Sequence, residues 1–239
     1  MLFPLRDVNP ARHRPVMTWT LIALTSAVYV FEAVVHPEHL QQIAYLFGLV
    51  PARFSHPAWA LRVGLPVDDY WPFVTSIFLH AGLLHVASNM WILWIFGDNV
   101  EDRMGPWRFL VFYLLCGVIA GQVQYWTNLH SNVPTVGASG AIAGVLGAYI
   151  VLYPRARVVT LLLLVFWPLI FELPAVFYLL YWFVLQFLSG TAALLGPQEL
   201  GGIAWWAHVG GFLAGIALLR LFVIGRVAWP AFVRAEEKE

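Results

Sequence analysis

Six runs of nearly unbroken apolar residues, separated by charges, glycines and prolines, organise the chain. They cover about 16–35, 79–97, 107–127, 136–153, 174–194 and 204–224. Each is close to the roughly 20 residues that an α-helix needs to cross a hydrocarbon core. The pattern predicts an all-α polytopic membrane protein, a bundle of six transmembrane helices. It divides the chain into an N-terminal segment (1–15), a six-span unit (16–226) and a C-terminal tail (227–239). Two stretches resist the simple count. Residues 36–78 hold five prolines and the aromatics Tyr45, Phe47, Phe54, Trp59, Tyr70 and Trp71, which is too apolar for a free aqueous loop. They are expected at the membrane interface. Residues 158–171 are apolar over only 14 positions, broken by Pro168 and followed by Glu172. They read as a re-entrant or interfacial piece, since a seventh span would move the C-terminus to the other side.

Composition agrees with a lipid solvent. Of 239 residues 61% are hydrophobic and 11% charged, against roughly 25% charged in soluble domains. Too few polar side chains exist to cover a water-facing surface. The balance of 13 basic and 13 acidic residues gives no reason to expect nucleic acid as a partner. Cys116 is alone in an apolar run and reads as packing. The first run is too long for a signal-peptide core and no clear small-residue cleavage site follows it, so it reads as a retained span. Basic residues then set the orientation. With the N-terminus cytoplasmic, Arg6, Arg12, Arg14, Arg103, Arg108, Arg155, Arg157, Arg220, Arg226, Arg234 and Lys238 fall on the cytoplasmic side, and only Arg53 and Arg62 outside. Both termini are expected inside.

Polar side chains at membrane depth cost a few kcal/mol and need a reason. Within the six runs these are chiefly His80, His85, Asn89, Gln122, Gln124, Ser139, Gln186 and His208, with Glu32 near the outer end of the first. The second, fourth and sixth runs all pass from outside to inside. His80 and His85 fall in the first two turns of the second, Ser139 in the first turn of the fourth, and His208 in the second turn of the sixth. At helical rise, Ser139 and His208 lie roughly 5–8 Å inside their helix starts. His85 and Asn89, four apart, share one face. So do His208, Gly211 and Gly215, while the fourth run carries the small stripes Ser139, Ala143, Gly147 and Gly140, Gly144, Ala148. Small-residue faces let membrane helices approach closely. Such an approach would bring a hydroxyl to an imidazole, the minimum for covalent catalysis. A metal site from His80, His85 and His208 is disfavoured because no carboxylate or thiolate shares their depth. Haem ligation by His85 and His208 is weaker still. The three glutamines are assigned to hydrogen bonds between helices.

At these residues the sequence resembles the rhomboid family of intramembrane serine proteases. GASGAIAG (137–144) is similar to its GxSG nucleophile motif, AHVGGFLAG (207–215) to its AHxxGxxxG histidine motif, and HAGLLHVASNM (80–90) to its His-x4-His-x3-Asn pattern. Gly97, Glu101 and Gly105 look like its GxxxExxxG turn. Residues 152–175 also read like the stretch between the fourth and fifth helices of bacterial members. The resemblance implies a rhomboid catalytic domain over 16–226, with Ser139 as nucleophile and His208 as base. His85 and Asn89 would be the oxyanion donors, with His80, Gly137, Gly140, Gly211 and Gly215 supporting the site. It implies a dyad with no cofactor and no metal. Its partners would be single-span membrane-protein substrates, its location a bacterial inner membrane.

Three positions depart from the family. Trp71 is followed by Pro72 where many members have Trp-Arg, which puts arginine-dependent anchoring of the first loop in doubt. Ala143 stands where some members place an aromatic on the histidine. Ser88 stands in place of a bulky gating residue at the boundary with the fifth span, as the resemblance implies. A second reading is a catalytically silent relative that binds or routes membrane proteins, but such relatives usually lack the serine or the histidine. A channel or transporter finds no support: no set of buried charges for ion coupling and no two-half repeat are present.

Overall fold

Prolines and glycines punctuate the helices where their backbones require it. The computed structural model describes residues 2–164, 167–195 and 203–223. Its elements are β1 (Leu2–Asp7), α1 (Val16–Val34), α2 (Pro37–Phe47), α3 (Pro51–Ser55), α4 (Pro57–Arg62), α5 (Pro72–Thr75), α6 (Leu83–Met104), α7 (Pro106–Thr127), α8 (Ser139–Leu152), β2 (Arg157–Leu164), β3 (Trp167–Pro174), α9 (Ala175–Leu195) and α10 (Trp205–Phe222). Proline opens α2, α3, α4, α5 and α7, the position where its missing N–H is not needed. Gly105 takes φ +77° between α6 and α7, which turns the chain at once from one helix into the next.

The structure is mostly helical, and α1 and α6–α10 coincide with the six apolar runs. Among the described residues, α1, α7, α9 and α10 are long and apolar enough to cross a membrane; α8 is apolar but has 14 residues. The largest difference lies in α6. It starts at Leu83 rather than near 79 and continues seven residues past Gly97, through Asp98, Asn99, Glu101, Asp102 and Arg103. Hydropathy ends the run at the first charge. The helix continues because its polar residues find partners there.

Glu101 is the clearest case. Pro15 precedes α1 and offers no side-chain cap, so the first N–H groups of α1 would be orphaned. The Glu101 carboxylate accepts from the Met17 N–H at 2.9 Å, the Thr18 N–H at 2.7 Å and the Thr18 hydroxyl at 2.8 Å. A buried anion thus caps α1 from across the interface, where the helix dipole favours it.

The helical expectation omits a small antiparallel sheet of order β1-β2-β3. The apolar piece expected to be re-entrant or interfacial is a hairpin, paired from Arg157↔Pro174 to Leu164↔Trp167. The N-terminal segment adds the third strand, with Leu2↔Leu162 and Asp7↔Val158. A short apolar run does not reveal by periodicity whether it is strand or helix. The expected tail over 227–239 lies outside the described residues.

β1 is tied to the bundle by polar contacts. The Trp91 indole N–H donates to the Pro4 carbonyl at 2.8 Å. Asp7 accepts from the Tyr149 hydroxyl at 2.6 Å and from the Asn99 amide at 3.0 Å. Tyr149 is some ten residues along α8 from Ser139, about 15 Å by helical rise, so the sheet packs at the far end from the serine. α8 itself is the central helix: Gly140 through Tyr149 are all buried.

Two outcomes are expected. Glu101→Ala leaves buried donors unpaired and lowers stability by about 3 kcal/mol; heating in detergent while following dye labelling of the buried Cys116 measures it. The second concerns Asp7, whose pKa burial raises to about 6, Asp98 adding to the rise against the Tyr149 hydrogen bond. The folded state therefore holds this proton more tightly than the unfolded chain, whose carboxyl titrates near 3.8. The stabilisation is complete below the unfolded value and is lost as pH rises through about 6. Asp7 is partly solvated, so screening leaves on the order of 1 kcal/mol. Unfolding measured across this range should show that slope in the wild type and a flatter one in Asp7→Asn.

Candidate active site

Glycine on both faces lets α8 and α10 touch backbone to backbone. A Cβ on Gly211 would strike the Gly140 carbonyl oxygen, one on Gly215 the Gly144 carbonyl, and one on Gly147 the Phe212 carbonyl. No side chain fits at these three glycines, so the first turns of the two helices are held at one spacing. Ser139 is the first residue of α8 and His208 lies in the first turn of α10. Their side chains meet: His208 Nε2 lies 2.8 Å from Ser139 Oγ. Both residues are half-buried, so the pair is packed yet reachable.

The other ring nitrogen is also engaged. His208 Nδ1 lies 2.7 Å from Oε1 of Gln186 on α9. The expectation for Gln186 was a generic bond between helices; it does join two helices, but at the imidazole. Gln124 does not follow: among the described residues its Oε1 is buried without a partner. Two indoles flank the imidazole: Trp182 at 5.8 Å between centroids and 33° between planes, and Trp205 at 6.3 Å and 85°. The aromatic missing at Ala143 is thus supplied by α9. Ala143 itself is fully buried against α10.

A second group of side chains packs against the residues that lead into the serine. Gly137 adopts φ +131°, and a Cβ there would meet His85 Cε1 at 2.8 Å and His85 Nε2 at 2.9 Å, with Asn89 Nδ2 at 3.7 Å. Glycine is therefore required twice over, by its backbone and by the imidazole beside it. Its N–H donates to the Ser76 carbonyl at 2.8 Å, which fixes the approach to α8. His85 and Asn89 thus lie beside Gly137, two residues before Ser139.

His80 belongs to this group but not to the helix. The expectation put it in the first turn of the second span; it lies in the loop before α6. It is 4% exposed, its N–H donates to Glu32 at 3.1 Å, and its Nδ1 lies 3.3 Å from the Phe78 carbonyl. With Nδ1 as donor, Nε2 accepts from Asn89 Nδ2 at 2.9 Å and from the Ala138 N–H at 3.4 Å. An amide nitrogen carries two hydrogens, so Asn89 has a second beyond the one given to His80. Glu32, unusual at its depth, is accounted for by this chain of contacts.

Arg53 was read only as one of two outer charges, although it anchors the loop that Pro72 had put in doubt. It is 0% exposed and donates to the carbonyls of Pro66 at 2.6 Å and Leu46 at 3.0 Å, and to Asp69 at 3.1 Å. An arginine amid apolar sequence was the available signal. Glu172 pairs with Arg157 at 3.0 Å on the sheet, and Ser88 is exposed, its hydroxyl donating to the His85 carbonyl at 3.0 Å. Among the described residues, no group of three or more His, Cys, Asp or Glu could hold a metal ion.

The sequence matches the family model of the Rhomboid domain over residues 67–224. It is 33% identical over 155 residues to the mouse (Mus musculus) presenilin-associated rhomboid-like protein, mitochondrial, which covers 61% of this chain and 36% of that protein. It is 34% identical over 116 residues to the putative rhomboid protease YdcA of Bacillus subtilis (strain 168), covering 46% of this chain and 57% of that one. Against the rhomboid protease GluP of the same bacterium it is 41% identical over 80 residues, 34% of this chain and 15% of the relative. The matched part thus spans about a third of the length of the presenilin-associated relatives.

Substituting Gly211 by valine should push α10 from α8, costing roughly 1–3 kcal/mol by overpacking, and remove the contact between Ser139 and His208. Thermal unfolding and labelling of Ser139 by a fluorophosphonate report the two effects. Gly82→Ala, whose Cβ would meet nothing within 4 Å, serves as the stability control.

Proposed function

Because this chain belongs to the rhomboid family and is an integral membrane protein, we propose that it is an intramembrane serine endopeptidase working through Ser139 and His208. The observation that carries this reading is the 2.8 Å contact between the serine hydroxyl and the imidazole, held by two helices in backbone contact. In this reading Ser139 Oγ attacks the carbonyl carbon of a scissile peptide bond while His208 Nε2 takes its proton. Negative charge develops on the carbonyl oxygen. The Ser139 N–H, the second Asn89 amide hydrogen and the His85 imidazole are the donors assigned to meet it. His208 then returns its proton to the leaving amine, an acyl-enzyme remains on Ser139, and water hydrolyses it by the reverse steps. The half-buried dyad supports that water's access.

The substrate class follows from the solvent. Membrane-protein segments reach this site laterally, and the bond cut lies near the outer face. The supporting orientation has six spans over 16–226, both termini in the cytoplasm, and a bacterial inner membrane around them. The bias of arginines toward the ends of α6, α7 and α8 away from Ser139 favours it.

Co-expression with a tagged single-span substrate tests the reading. Ser139→Ala and His208→Ala should each abolish cleavage and fluorophosphonate labelling while the protein still purifies as a folded species. Equal labelling of Ser139→Ala would point to another nucleophile. His85→Ala or Asn89→Ala should lower kcat by about 10²–10³, and wild-type turnover in the double variant would refute the oxyanion role.

A further inference from the structure

We propose that Gln186 is a positioning residue for the base: its side-chain carbonyl holds His208 in the one tautomer able to accept the serine proton. The proposal rests on the Ser139–His208 reading given above. A neutral imidazole carries its proton on Nδ1 or Nε2. Only the Nδ1–H form leaves a lone pair on Nε2, the atom 2.8 Å from Ser139 Oγ. The group facing Nδ1 therefore decides whether the base is usable.

That group is an amide, which could present either its oxygen or its nitrogen. The helix backbone chooses. Gln186 Nε2 donates to the Trp182 carbonyl one turn earlier on α9, at 3.3 Å. A flipped amide would set its oxygen against that carbonyl, two acceptors facing each other, and lose the bond. With Nε2 so engaged, Oε1 faces His208 Nδ1 at 2.7 Å. A carbonyl oxygen only accepts, so Nδ1 carries the proton. Gln186 is 7% exposed, which keeps water from competing for either atom. Trp182 adds a second restraint from the same helix face, its ring lying 5.8 Å from the imidazole and 33° from parallel.

In a Ser-His-Asp triad the third residue orients the imidazole and also stabilises its positive charge. Gln186 supplies the orientation with a neutral acceptor. Through the reaction the Ser139 proton moves to Nε2 and then to the leaving amine, while the Nδ1–H bond to Gln186 stays intact.

The test uses the full chain in proteoliposomes with a tagged single-span substrate, comparing wild type, Gln186→Leu and Gln186→Glu. Gln186→Leu should lower kcat by about 10–100-fold with KM within about twofold, since a lost orientation acts on the base and not on binding. Gln186→Glu restores an acceptor, so its kcat should exceed that of the leucine variant. An anion beside Nδ1 favours the protonated ring, so the acid limb of its kcat/KM profile should move to higher pH by about one unit. Wild-type kcat in Gln186→Leu, or an unmoved acid limb in Gln186→Glu, would overturn the proposal. Should the leucine variant fail to fold, the glutamate profile decides alone. Nitrogen NMR shifts of the His208 ring give a readout without turnover: Nδ1–H in the wild type, a growing Nε2–H population in Gln186→Leu. A correct tautomer in a wild type that does not cut would refute the protease reading and not the orientation.

Discussion

Everything at the candidate site depends on how closely α8 and α10 approach. Membrane helices gain nothing by hiding apolar side chains from lipid, so their association relies on packing and hydrogen bonds. Here packing takes its most demanding form. Gly140, Gly144, Gly147, Gly211 and Gly215 bring carbonyl oxygens of one helix against α-carbons of the other. A spacing set by backbone atoms is far stiffer than one set by rotatable side chains. That stiffness fixes the 2.8 Å contact between Ser139 and His208. Gly144 also receives Cys116 of α7, so the third neighbour is locked into the same stack.

Around this stack several buried polar groups form short chains. Glu32 accepts from the His80 backbone, the His80 ring accepts from Asn89, and Asn89 lies beside Gly137, two residues before Ser139. On the other side Trp182 accepts from Gln186, which accepts from His208, which faces Ser139. The start of α8 is thus reached from two directions by groups whose orientations are each set by a neighbour. In an apolar surrounding an unpaired polar group is costly, so such chains also hold together the helices that contribute to them. Arg53 does for the loop over 36–78 what Glu101 does for α1: each charge collects several backbone groups that would otherwise lack partners.

Much of this was legible from local sequence because hydropathy and helical spacing are local properties. The six runs mark the six long helices to within a few residues at most ends, and GASGAIAG and AHVGGFLAG mark the faces that meet. The failures share one cause. The end of α6 differs because Asn99 and Glu101 look like a boundary until their partners Asp7, Met17 and Thr18 are in view. His80 was placed in a helix because its neighbours are apolar. β2 and β3 escape the sequence because 14 apolar residues fit a re-entrant or interfacial piece as well as two paired strands, and the strand that completes their sheet begins at residue 2.

Sequence alone determined which segments seek lipid and where small residues permit close contact. It also marked which polar side chains stand too deep to be accidental. Tertiary structure alone decided which of those polar groups face one another. Gln186 and His208 are 22 residues apart, Ser139 and His208 are 69 apart, and Asp7 and Tyr149 are 142 apart. Such pairs form only when helix packing converts a rotation about each axis into a distance between side chains. No periodicity along the chain carries that quantity, so Gln186 could be recognised as a buried polar residue but not as the partner of the base.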